Sequence, residues 1–332
     1  MSATDLPVSG PDLQRLPGRV GAVIIGRNEG ARLVACLTSF PDGVRPLVYV
    51  DSGSTDGSVA AAQAAGAEVV ALDMTQPFTA ARARNAGFAR LRELGASEFV
   101  QFIDGDCQIQ PGWLETAETF LVAHPDVAVV CGRRREIHPE ASVWNRLCDA
   151  EWDTPIGEAR ACGGDALMRV AAVVEVGGYD PSLIAGEEPE LCVRLRKAGW
   201  KVWRIDREMT LHDAAMTRIG QWWKRTRRGG HAFAEGAALH GAPPERHWVA
   251  ETRRALLWGA VLPLAAVLGL VLTPWAALLL LAYPLQVLRL SRYLGRERAA
   301  FLVLGKFPEA QGVLEYHLNR LRRRRAGLIE YK

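Results

Sequence analysis

The sequence predicts an α/β domain built on a mostly parallel sheet, followed by an apolar helical hairpin. Three observations carry that prediction. Short β-branched runs alternate with helically spaced segments from Arg19 to Ile103. Acidic residues stand where several of those runs end, and one long stretch near the C-terminus carries no charge.

Arg19–Ile25 (RVGAVII) is the first strand, and Asn28–Phe40 comes next at helical spacing. Leu47–Val50 (LVYV) is the second strand, Thr55–Ala65 an alanine-rich helix and Glu68–Leu72 the third strand. Pro77 can start a helix over Phe78–Leu94, and Phe99–Ile103 (FVQFI) is the fourth strand. Strands joined by helices in this rhythm pair in parallel, with helices on both faces. Ligands in such sheets bind at the carboxyl ends of the strands. The residues just after each strand therefore matter: Gly26-Arg27-Asn28-Glu29, Asp51-Ser52-Gly53-Ser54 and Asp104-Gly105-Asp106.

The middle, Val127 to about Asp213, reads as less regular and rich in Gly and Trp. Glu187–Ala198 is a helix started by acids and left through Lys197 and Gly199, as the helix dipole prefers. Arg218–His240 is a basic, aromatic helical segment. From Ala255 to Leu288 there is no charge, and Thr273-Pro274 breaks the run into Leu256–Leu272 and Trp275–Leu288. Each piece is somewhat short of the ~20 residues that cross a bilayer. Arg253 and Arg254 precede the run, and Arg289, Arg292, Arg296 and Arg298 come after it, with Arg322–Arg325 beyond. Basic flanks at both ends of a hairpin place both ends in the cytoplasm. The expected organisation is an extension over 1–18, a catalytic domain over 19–250, a membrane-associated hairpin over 251–292 and a basic cytoplasmic tail over 293–332.

Composition narrows the function. The 332 residues carry a net charge of +3, but residues 251–332 hold 13 Lys/Arg against 5 Asp/Glu, so the remainder is acidic. An acidic front with a basic, apolar end argues against nucleic-acid binding and for a soluble enzyme attached to a membrane. None of the six cysteines forms a CxxC pair, which disfavours zinc and suits a reducing compartment. Residues 1–20 lack an apolar core, so no signal peptide is expected.

The candidate chemistry lies at the strand ends. Asp104 and Asp106, one residue apart, point the same way and can share a divalent cation; oxygen ligands suit Mg²⁺ or Mn²⁺. Asp51 can accept hydrogen bonds from a ribose or base edge, although the Ser/Thr/Gly run after it is also a helix N-cap. Arg84 lies inside a helix pattern. Gly186-Glu187-Glu188-Pro189-Glu190 is an acidic first helical turn.

Together these pieces resemble the inverting family 2 glycosyltransferases of GT-A fold. The matching segments are GRNEG at 26–30, VDSGSTDGS at 50–58, ARARNAGF at 81–88, FIDGDC at 102–107, CGGDALMR at 162–169, GGYDP at 177–181 and GEEPELCVRLRKAGW at 186–200. They cover roughly residues 19–213. The resemblance implies a donor site for a nucleotide diphosphate sugar, built from Asn28, Glu29, Asp51, Arg84 and Asp104. It implies a metal, Mn²⁺ or Mg²⁺, held by Asp106 with Asp104, and a further ligand at His212. It places the catalytic base in Glu187-Glu188, at Glu188, where the family usually has Asp. It puts Gly164 and Asp165 in an acceptor-side loop, with Trp152 near enough to stack on a sugar. Gln221-Trp222-Trp223-Lys224-Arg225 only loosely matches the motif of processive synthases, so one sugar is transferred per encounter. Lys224, Arg225 and Arg228 suit a diphosphate, anionic lipid or a solvated basic face. The expected activity is transfer to a glycan or lipid-linked acceptor at the cytoplasmic face of the inner membrane, for surface polysaccharide. A sugar-phosphate nucleotidyltransferase and a non-catalytic membrane scaffold are the competing readings.

Overall fold

A computed structural model describes residues 19–322 apart from residue 96. The expected extension over 1–18, residues 323–332 and most of the basic cluster at 322–325 lie outside the described residues.

The first strands form where β-branched runs leave no good helix. They are β1 (Val20–Gly26), β2 (Leu47–Asp51), β3 (Glu68–Ala71) and β4 (Phe99–Asp104), separated by α1 (Ala31–Thr38), α2 (Ser58–Ala64) and α3 (Ala80–Leu94). After β4 come β5 (Cys107–Ile109), α4 (Trp113–Ala123), β6 (Val127–Glu136), α5 (Val143–Glu151), β7 (Gly157–Ala159), β8 (Ala166–Arg169), α6 (Val170–Glu175), α7 (Glu187–Lys197) and β9 (Lys201–His212). The sheet has nine strands in the order β3-β2-β1-β4-β8-β6-β9-β5, with β7 also on β9. The strands β1–β4, β6 and β9 run one way, while β5, β7 and β8 run against them. The core is the sheet itself: Val23, Ile24, Val48, Tyr49, Phe102 and Ile103 are fully buried.

Helices start where local chemistry allows. α1 begins three residues later than expected, because Asn28 and Gly30 turn at φ 56 and 54 before the chain can coil. α3 starts at Ala80 because the Thr79 side chain accepts from the N–H of Arg82. The middle region, read as irregular, contains the long strands β6 and β9. Their pairing is interrupted by register shifts that blur a period-two pattern.

The C-terminal part differs most from expectation. α8 (Ile219–His240) is succeeded by α9 (Val249–Leu256), a wide π turn (Leu257–Val261), α10 (Leu262–Gly269), a 3₁₀ stretch (Pro274–Leu281) and α11 (Ala282–Leu294). The runs Val249–Gly269 and Pro274–Leu294 are each 21 residues long, and apolar enough to cross a membrane. At ~1.5 Å per residue such a helix spans roughly 30 Å, a bilayer core. The flanking charged residues, which the sequence pattern reads as ending the apolar pieces, continue the helices. Val271, Leu272 and Trp275 at the hairpin tip are 84%, 88% and 75% exposed. The sequence reads 293–332 as a tail, but its described part folds into α12 (Arg296–Leu304) and α13 (Lys306–Leu321). α13 packs along α8 because glycines sit at the crossing. A Cβ on Gly230 would strike the backbone of Glu309, and one on Gly312 the backbone of Arg227 and His231. Trp223 donates to Gln311 at 3.0 Å, and Arg227 pairs with Glu315 at 2.9 Å across the same seam. These contacts place α12 and α13 beside the sheet's carboxyl edge.

Gly87 tests the packing of α3 on the sheet. A Cβ there would lie 2.5 Å from Val23 and 2.7 Å from Val50, both fully buried. Gly87→Ala gains about 1 kcal/mol of helix propensity but meets an overpacking cost of about 1–3 kcal/mol against stiff β-branched neighbours. Overpacking should win, lowering the melting temperature by a few degrees; an unchanged or raised Tm would show that the sheet yields.

Candidate active site

The carboxyl edge of the sheet brings the expected acids to one level. Gly26 pairs with Asp51, and Ile25 with Asp104. The loops after β1 and β2 lock together: Asn28 accepts from the Thr55 N–H at 2.8 Å and donates its own N–H to Ser54 Oγ at 2.9 Å. Asp51 is buried, and one of its oxygens accepts from the N–H groups of Gly53 and Ser54 at 3.1 and 3.0 Å. Asn28 and Asp51 thus fix the loops after β1 and β2 at this edge. Glu29 pairs with Arg32 at 2.7 Å and lies against the Asp104-Gly105-Asp106 turn.

Arg84 is the node. It comes from α3 and is 2% exposed. Its Nη2 donates to Asp104 Oδ1 at 2.9 Å, and its Nη1 lies 2.8 Å from both Glu187 Oε1 and Glu188 Oε1. The Tyr179 ring faces its guanidinium at 5.7 Å. Asn85 fixes that tyrosine's backbone, donating to its carbonyl at 2.8 Å and accepting from its N–H at 2.9 Å. The second oxygen of Asp104 meets Arg134 at 3.2 Å.

Glu187 and Glu188 open α7, in its first turn beside the cleft. Gly186 precedes them at φ 81, with the Trp248 ring so close that a Cβ would lie 2.8 Å from it. Burial pushes the Glu188 carboxyl up to about 7; Arg84 pulls it down, while Glu187 and Asp104 add to the rise. Gly164 faces this group: a Cβ there would lie 2.9 Å from Arg84, 3.1 Å from Asp104 and 3.4 Å from Glu188. The loop can approach the carboxylates only because position 164 has no side chain.

Asp106 and His212 form the neighbouring site. Both are buried, with His212 Nε2 3.5 Å from Asp106 Oδ2. Their ligand atoms and the Cys107 sulfur lie within 4.8 Å of one another. Burial, reinforced by the Arg134 charge, holds the His212 imidazole below its ordinary pKa, so the ring is neutral. Glu136 Oε2 stands 3.9 Å from its other nitrogen.

One expectation changes. Asp165 does not face an acceptor: it is 1% exposed, accepts from the Asp104 N–H at 3.3 Å and Thr210 Oγ1 at 2.7 Å, and pairs with Arg134 at 3.2 Å. Its position just before β8 turns it under the strand end. Trp152 is half-buried, with Arg134 over its ring at 5.1 Å and His212 packed against it at 4.9 Å. Both residues pack against Arg134.

Sequence reasoning missed Arg134, which joins Asp104, Asp165 and Cys107. A signal exists in Arg133-Arg134-Arg135. In a strand, alternate side chains point to opposite faces. Arg133 and Arg135 accordingly line a pocket on the far side, while Arg134 lines the cleft with Arg84 and Glu188.

Comparison with known proteins agrees with this arrangement. Residues 22–166 match the family model described as Glycosyl transferase family 2. That match covers less than half of the chain and marks these residues as similar to glycosyl transferase family 2, and the domain has the GT-A fold. The succinoglycan biosynthesis protein ExoA of Rhizobium meliloti is 26% identical over 214 residues, covering 59% of this chain and 64% of ExoA. Pre-mycofactocin glycosyltransferase of Mycobacterium tuberculosis is 26% identical over 246 residues, 70% of this chain and 50% of that protein. The chain thus spans less than two thirds of the length of these curated relatives. Among solved structures, mannosyltransferase PcManGT from Pyrobaculum calidifontis, in complex with GDP-Man and Mn²⁺, has a TM-score of 0.62 at 21% identity, covering 92% of this chain and 90% of that one. S. aureus TarS 1-349 in complex with UDP-GlcNAc has a TM-score of 0.50 at 13% identity, covering 92% of each chain.

A base must be ionised to accept a proton, so a Glu188 carboxyl near 7 predicts kcat/KM rising with pH and levelling above about 7. Glu188→Gln should lower kcat by about 10²–10⁴ and abolish that limb. A wild-type limb near the ordinary carboxylate range, or a dead Glu187→Gln beside an active Glu188→Gln, would move the base elsewhere.

Proposed function

We propose that this protein transfers a sugar, with inversion and one residue at a time, from a nucleotide diphosphate donor to an acceptor at the cytoplasmic face of the inner membrane. A lipid-linked glycan of surface polysaccharide synthesis is the acceptor that fits. The observation that carries the reading is the meeting of Asp104, Arg84 and Glu188 at one cleft, beside Asp106 and His212. Glu188, raised toward neutrality, takes the proton from the acceptor hydroxyl. Arg84 and Asp104 border the donor side, and the loops fixed by Asn28 and Asp51 receive the nucleoside.

A divalent cation fits the second site. Asp106 and His212 offer an oxygen and a neutral nitrogen on facing buried side chains, and Glu136 stands behind the imidazole as a carboxylate commonly does behind a metal-binding histidine. A nitrogen in the set suits Mn²⁺ better than Mg²⁺. Asp104, held on both oxygens by Arg84 and Arg134, is the acid turned toward the donor. The cation supplies neutralisation of charge on the leaving diphosphate. PcManGT was solved with GDP-Man and Mn²⁺, which supports the same pairing of donor class and metal here.

Membrane attachment rests on the two apolar helices and their exposed tip. Arg253, Arg254, Arg289 and Arg292 flank the apolar stretch on both sides, which favours both ends on the cytoplasmic side, where nucleotide sugars are made.

The test is release of nucleoside diphosphate from a panel of GDP- and UDP-sugars with Mn²⁺, using the full chain in detergent. Release with at least one donor is expected; EDTA should stop it, and Asp106→Ala should lack it. Full turnover in EDTA would contradict the metal role, and pyrophosphate formation from a sugar phosphate and a nucleoside triphosphate would point instead to a nucleotidyltransferase.

A further inference from the structure

We propose that the outer half of the active-site cleft holds the phosphate or diphosphate of a lipid-linked acceptor, with Arg228 and Arg298 as its ligands beside Arg225. The proposal rests on the glycosyltransfer reading above and names the acceptor chemistry of that same cleft.

The cleft, of about 650 Å³, is continuous from Arg84, Asp104 and Glu188 to the helices that adjoin the apolar hairpin. Its outer walls are apolar. Trp222 meets Phe301 edge-on at 5.2 Å, Phe233 meets Trp248 at 5.3 Å, and Leu302 completes the lining. Phe301 and Leu302 belong to α12, which directly succeeds the hairpin helix α11. A chain leaving the cleft there passes onto the exposed apolar surface of the hairpin.

Three arginines stand among these apolar walls. Arg225 is held by Glu151 through two contacts of 2.9 and 3.0 Å. Arg228 and Arg298 are half-buried and form no ion pair with a described residue; Arg298 exerts only a longer-range attraction on the same Glu151. Glu309, the other acid at this end, is tied to Lys306 at 2.5 Å. Partly desolvating a cation without a partner is unfavourable, and a guanidinium matches phosphate oxygens in two-pronged fashion. A neutral sugar can stack on the aromatic wall but has no use for the charges. An anion on an apolar chain needs both, and Glu188 at the inner end meets the hydroxyl of the sugar that such a phosphate carries.

The test is calorimetric titration of the full chain in detergent with three probes: farnesyl diphosphate, farnesol and inorganic pyrophosphate. Farnesyl diphosphate should bind at least about tenfold more tightly than either of the others, since charge-assisted hydrogen bonds of this kind contribute about tenfold to a hundredfold in affinity. Replacing both Arg228 and Arg298 by Ala should weaken it by a similar factor, and replacement of both by Lys should recover part of the loss. The Lys variant also guards against misfolding of the Ala variant, checked by melting. Equal affinity for farnesol, or unchanged binding in the Ala variant, would overturn the proposal. Pyrophosphate binding as tightly as farnesyl diphosphate would assign the arginines to a soluble anion and overturn the lipid assignment. Binding is read whether or not a donor is turned over. A chain that binds farnesyl diphosphate but releases no nucleoside diphosphate would fail the glycosyltransfer reading alone.

Discussion

The guanidinium of Arg84 is the constraint on which the site depends. It is buried, and three carboxylates from two elements converge on it: Asp104 from β4, Glu187 and Glu188 from α7. One cation cannot neutralise three anions in a partly dry site. Burial, helped by the negative charge of Glu187 and Asp104, keeps the Glu188 carboxyl near 7 against the pull of Arg84. The same contact joins the end of β4 to the start of α7. Breaking such a buried pair leaves uncompensated charge, which is why the surrounding shell is so closely built. Tyr179 backs the guanidinium, Gly164 gives it room, and Arg134 balances the far oxygen of Asp104.

The C-terminal helices extend this site. α13 lies on α8 through a glycine seam, and α8 supplies one wall of the cleft. Trp248, just before α9, packs on Gly186 at the start of α7 and so supports the glutamates from behind. His240, at the end of α8, bonds Glu190 of α7 at 2.9 Å. The hairpin therefore grows from helices that touch the start of α7, which carries Glu187 and Glu188. The apolar helices and the cleft are joined through packed contacts between α8, α9 and α13.

Much of this was legible in the sequence, and the reasons are local. The strands β1, β2 and β4 are apolar runs with an acid or a Gly/Asn turn at the end, so both the sheet and the level of Asp51 and Asp104 came from pattern. The acidic opening of α7 was equally plain. The features that escaped depend on contacts between distant residues. Nothing near Asp165 says that Thr210 and Arg134 will cover it, and nothing near Trp152 says that Arg134 will lie over its ring. The α12–α13 pair was hidden because its basic composition resembles a solvated tail. Its fold rests on Gly230 lying against the backbone of Glu309, and Gly312 against that of Arg227 and His231, residues far apart in sequence.

The most direct measurement of the Arg84 account is the pH dependence of kcat/KM for Arg84→Met. Removing the guanidinium takes away the charge that most lowers the Glu188 carboxyl, while Glu187 and Asp104 remain. An opposite charge at this distance typically shifts a carboxyl by about 1–3 pH units. The residual activity of the variant should therefore rise only at a pH at least one unit above the wild-type limb near 7. A limb that stays at the wild-type position, whatever the loss in rate, would show that Arg84 does not set the protonation of the base and would contradict the account.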